Sequence, residues 1–74
     1  MFRFWIPGPL RYALHRRAFV NLWSGAAISG VVVKATRTYC VIKDAHVHEA
    51  GSHPVAVDGE ILIDRNQIDY IQIT

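Results

Sequence analysis

Residues Val20–Ala45 read VNLWSGAAISGVVVKATRTYCVIKDA, and this stretch decides the fold. Its β-branched run Ala27–Lys34 predicts a strand, broken by Gly30, a residue that inside a strand marks a bend or bulge. Before it, Ala18–Trp23 predicts a strand that stops at Ser24-Gly25, a tight-turn dipeptide. After Ala35-Thr36-Arg37, the segment Thr38–Val47 is again rich in β formers and predicts a third strand. Further on, Glu49–Pro54 (EAGSHP) is a loop, Val55–Asp64 a fourth strand around Asp58-Gly59, and Arg65-Asn66-Gln67 a turn. Ile68–Ile73 alternates strictly, with Ile68, Tyr70 and Gln72 on one face and Asp69, Ile71 and Ile73 on the other.

Towards the N-terminus the pattern changes. Leu10–Arg17 permits about two helical turns, with Leu10, Ala13 and Leu14 on one face. Residues 1–9 (MFRFWIPGP) form an arm in which Pro7 and Pro9 deny a helix. The expected architecture is mainly β: a small bent five-stranded antiparallel barrel with strands across 18–73, a short helix at 10–17 and an extended arm at 1–9. Residues 10–74 make a single domain.

The 74 residues are 51% hydrophobic and 19% charged, which lies on the folding side of the disorder boundary. A chain this short has little core, so disulfides, a metal or a partner chain commonly supplement it. Cys40 is the single cysteine, which excludes an internal disulfide framework and suits a reducing compartment or a virion interior. Ala18–Val33 follows two arginines and is apolar, but it is only 16 residues long and contains Asn21, Ser24 and Ser29. A spanning helix needs roughly 20 mostly apolar residues, so a membrane is not favoured. The net charge of +2 hides a split: residues 1–37 hold six basic groups and no acid, residues 38–74 two basic groups and all six acids.

The order of one helix and five bent strands, with Val20–Ala45 and with Gly59–Ile71 (GEILIDRNQIDYI), resembles the Sm-like family. That resemblance implies a barrel whose fourth strand pairs with the fifth strand of a neighbour, closing a ring. RNA-binding members carry an aspartate and an asparagine in the loop before the third strand and an Arg-Gly pair after the fourth. Here Ala35–Cys40 (ATRTYC) is slightly short and has neither, and Asp64-Arg65 stands in the Arg-Gly place. A carboxylate there repels phosphate, so the fold is expected to carry over and the RNA pocket is not. Pro54–Thr74 and Val20–Gly25 also resemble small proteins of tailed-bacteriophage structural modules, which implies a non-enzymatic virion component.

Chemistry has sparse material. His46 and His48 share one face of a strand and, with His53 or Glu49, are weak candidates for a zinc site, or else solvated residues at a strand edge. Cys40 lies in an apolar strand, where a thiol is usually inert. No enzymatic activity and no cofactor are expected. The basic face Arg3, Arg11, Arg16 and Arg17, interleaved with aromatic residues, admits nucleic-acid contact or an ordinary solvated helix face. Phe2, Phe4, Trp5, Ile6 and Pro7 of the arm are expected to dock on a partner, with a fold-back over the barrel's own open end as the alternative.

The function expected from these features is a structural or interaction protein, a minor component of a tailed-phage virion assembled in the host cytoplasm. Its partners are copies of itself and a major virion structural protein, through edge-strand residues Ile61, Ile63, Ile68, Tyr70 and Ile71 and through the arm. Nucleic acid is possible but not favoured. An RNA-binding Sm-like ring in the cytoplasm is the alternative, and a small membrane-associated protein is the third.

Overall fold

The computed structural model describes residues 10–74, with side chains from Tyr12 onward. The arm residues Phe2, Arg3, Phe4, Trp5, Ile6 and Pro7, and the side chain of Arg11, lie outside this described part. Among the described residues six strands form one bent antiparallel sheet: β1 Arg17–Leu22, β2 Ala27–Ala35, β3 Tyr39–His48, β4 Val55–Ala56, β5 Glu60–Asp64 and β6 Ile68–Ile73. The order is β4-β3-β2-β1-β6, and β5 also pairs with β3. The β-branched sequence therefore does what its propensity dictates, and the bend brings its two ends close enough to enclose a core. Val20, Ile28, Val32, Ile42, Ile63, Ile68 and Ile71 fill that core with Ala13, Ala18, Cys40 and Ala45.

The expected helix over 10–17 does not form. Leu10–Ala13 is a single 3-10 turn, and His15 takes a left-handed conformation, φ 65°, that ends it. The sheet competes for this segment: His15 N–H donates to Val32 O at 2.6 Å, and Val32 N–H to Arg16 O at 3.1 Å. With no acid in its first turn, the segment gains nothing from the helix dipole that would resist. Arg17 already pairs with Val31 as part of β1.

The bend lies along one line across the sheet. Gly30 of β2 faces two residues of β3, because Ser29 pairs with His46 and Val31 with Lys43. Those two residues are Asp44 and Ala45, with Asp44 at φ 53°. A Cβ on Gly30 would lie 2.5 Å from Ile42 Cγ2 and 2.7 Å from Lys43 O, and its φ of 154° suits only glycine. On the other side of β3 the same crease splits the expected fourth strand at Val57–Gly59. β4 pairs with His46 and Val47, β5 with Tyr39–Lys43, and Val57 N–H bonds Ala45 O across the gap.

The strict alternation expected of Ile68–Ile73 is also broken. Asn21 pairs with Tyr70 and Leu22 with Ile68, so Asp69 is an extra residue. The resulting irregularity lets Ile68 and Ile71 both enter the core.

Candidate functional site

Two connections meet at the start of β3. Between β2 and β3 the chain reverses in Thr36–Thr38, and the Thr36 hydroxyl accepts from the N–H groups of Thr38 at 3.2 Å and Tyr39 at 3.1 Å. Thr36 N–H in turn donates to Tyr39 O at 2.8 Å. A loop this short holds its shape because one side chain satisfies donors that a longer loop would leave to water. Arg37 is left exposed at the tip, and Lys34 Nζ stands 5.8 Å from the centroid of the Tyr39 ring.

The second connection is the 3-10 turn Arg65–Gln67 between β5 and β6. Asp64 caps it, its Oδ1 accepting from Asn66 N–H at 2.9 Å. Arg65 ties the turn to the loop: its N–H donates to Thr38 O at 2.8 Å, and Nη1 donates to Arg37 O at 3.1 Å. Lys34, Arg37 and Arg65 thus lie at one end of the sheet, with Lys34 over the Tyr39 ring and Arg65 bonded to Arg37 O. The carboxylate expected to repel phosphate is turned into the turn's own backbone as a cap, against three cations.

The turn touches a third segment at its far side. Gln67 O accepts from Trp23 N–H at 3.0 Å, which joins it to the β1–β2 turn. Trp23 is 68% exposed there. Sequence reasoning missed Lys34, Arg37, Tyr39 and Arg65 as a group and missed Trp23 altogether. The cation–cation–aromatic spacing at the hairpin was an available signal for the first three. A lone tryptophan beside Ser24-Gly25 gave none.

The other candidates are placed as follows. His46 and His48 do share a face, but His48 Nε2 lies at hydrogen-bond distance, 2.9 Å, from Ser29 Oγ, and its ring packs 5.0 Å from that of Phe19. His53 is exposed in the loop after β3, and among the described residues no three His, Cys, Asp or Glu side chains converge as a metal site. Arg16 and Arg17 are exposed, Arg16 lying 4.9 Å over the Tyr12 ring. Burial pushes the Cys40 thiol from 9.0 up to about 11, which keeps it un-ionised at neutral pH. Ile61, Ile63, Ile68, Tyr70 and Ile71 lie on β5 and β6, whose outer edges pair with no other described strand. Ile63, Ile68 and Ile71 point into the core. No described helix is long and apolar enough to cross a membrane.

No family model matches the chain, and no curated protein matches it. Among solved structures, an Sm protein of Pyrococcus abyssii in complex with a uridine heptamer is similar, with a TM-score of 0.76 at 22% identity. The match covers 86% of this chain and 90% of that one. The bent antiparallel sheet of this chain is an Sm-like fold.

Proposed function

We propose that this chain binds single-stranded RNA, as one subunit of an assembly built through its sheet edges. The expected role as a minor tailed-phage virion component is overturned by the likeness to an Sm protein that holds a uridine heptamer. The observation that carries the RNA reading is the meeting of Thr36–Thr38 with Arg65–Gln67. It places Lys34 over the Tyr39 ring and brings Arg65 onto Arg37 O beside a loop closed by the Thr36 hydroxyl. Cations release counterions from a phosphate backbone, and an aromatic ring stacks on any base, so the pair suits a strand without a fixed sequence. No chemical step is needed, and Cys40, the one thiol, is sealed in the core.

Assembly follows from the same sheet. The outer edges of β5 and β6 pair with no other described strand, and Leu62 on β5 is 64% exposed. Pairing β5 of one copy with β6 of the next removes both edges.

The test is anisotropy of a labelled uridine heptamer across a salt series, with the mass in solution measured on the same samples. Arg37→Ala is expected to weaken binding and to flatten the slope of log K against log salt by about 0.7, the share of one phosphate contact on a single strand. Failure of the unaltered protein to bind at low salt overturns the reading.

A further inference from the structure

Beside the cationic loop the molecule has a second feature that the binding reading leaves unused. Leu22, Trp23, Ser24, Asn66 and Gln67 line an open cleft of about 260 Å³. Trp23 lines it while standing 68% exposed, so its indole is open to a planar partner. Its backbone is firmly held. Trp23 N–H bonds Gln67 O at 3.0 Å, Leu22 N–H bonds Ala26 O at 2.9 Å, and Gly25 N–H bonds Leu22 O at 3.0 Å.

Asn66 and Gln67 are both exposed, and each carboxamide offers a donor pair and an acceptor. An indole face beside two carboxamides is the chemistry that receives a planar, hydrogen-bonding ring. The volume falls just under the roughly 300–1,000 Å³ of clefts that enclose drug-sized ligands, and suits a single ring system. The cleft and the cationic loop share one turn. The turn Arg65–Gln67 borders both, bonding Thr38 and Arg37 at its first residue and Trp23 at its last. Three residues of 3-10 helix advance only about 6 Å, within reach of a strand of a few nucleotides.

We infer that the Trp23 cleft is a second base-stacking position, where one base of the RNA strand lies on the indole with its edge towards Asn66 and Gln67. This rests on the RNA reading above and extends it from the loop of Thr36–Thr38 across the turn. The strand enters over Tyr39 and the cations and leaves over Trp23. Stacking carries no charge, so the two halves of the path have different signatures.

The experiment uses the full chain with Trp5→Phe, so that Trp23 is the only indole, titrated with a uridine heptamer. Trp23 emission is expected to be quenched at saturation. Trp23→Ala is expected to weaken binding by about 5- to 150-fold, the loss of one stacked base, while leaving the salt slope unchanged. Trp23→Phe is expected to restore most of the affinity. The inference is overturned if Trp23→Ala and the emission are both silent while Arg37→Ala still weakens binding. It is also overturned if Trp23→Ala lowers the mass in solution with RNA affinity kept, which makes the indole a subunit contact. If the unaltered protein binds no RNA, this inference and the function it rests on fall together.

Discussion

Strand β3 has a connection at each end, and the two are built differently. Before Tyr39, Thr36–Thr38 is closed by the Thr36 hydroxyl and clamped from outside by Arg65. After His48, the loop Glu49–Pro54 is crossed by Ser52 N–H on Glu49 O at 3.1 Å, and its residues are exposed throughout. The charges differ in the same sense. Lys34, Arg37 and Arg65 surround the first end, whereas residues 46–59 contain Glu49 and Asp58 and no lysine or arginine. An approaching polyanion would meet cations beside a tied loop at the first end and, at the other, carboxylates near a loop with fewer ties. On the proposed RNA reading, binding at the first end costs less ordering entropy and gains more from counterion release.

The largest blow to this contrast removes the crease that separates the two ends. Gly30→Val places a branched side chain against Ile42 Cγ2 and Lys43 O, where even one carbon does not fit. It is expected to destabilise by about 4 kcal/mol or more, seen as loss of a cooperative thermal transition and of any difference between the ends. Next comes the direct comparison of one loop with the other. Thr36→Val is expected to cost about 1–2 kcal/mol, by leaving the Thr38 and Tyr39 N–H groups short of an acceptor, and to weaken heptamer binding. Ser52→Ala is expected to stay within about 0.5 kcal/mol and leave binding unchanged. Equal effects in chemical denaturation would remove the distinction between a tied loop and an untied one. The smallest effect is the sharpest. Asn caps a helical turn as well as Asp, so Asp64→Asn keeps the turn and deletes one charge beside the cations. Heptamer affinity is expected to rise by about 1.5- to 5-fold at low salt and to return towards the unaltered value as salt increases.

Much of the fold was legible because strand propensity and turn chemistry point the same way from Ala18 to Asp64. Gly30 marked the bend correctly, since an isolated glycine in a β-branched run has few other reasons to be there. The helix at 10–17 failed because its i, i+3, i+4 spacing is a local signal, while β2 supplies the partners for His15 N–H and Arg16 O. The fourth strand failed at Val57–Gly59 because its break is imposed by the Asp44 bulge on a neighbouring strand. Asp69 broke an alternation that looked strict for the same kind of reason. The site was hidden further still. Asp64 was read as a charge, and only geometry shows that its oxygen serves a backbone N–H. Arg65 is adjacent to it in sequence, but its partners lie on Thr38 and Arg37.

Cys40 gives this arrangement a timekeeper. It follows Tyr39 directly, pairs with Ala35 on one side and Ile63 on the other, and is 1% exposed. With its thiol un-ionised and covered, an alkylating reagent reacts only while β3 parts from its neighbours. The alkylation rate therefore counts openings at the cationic end of the sheet, one residue from the ring proposed to carry a base. If the proposed RNA strand lies across that end, it slows the count.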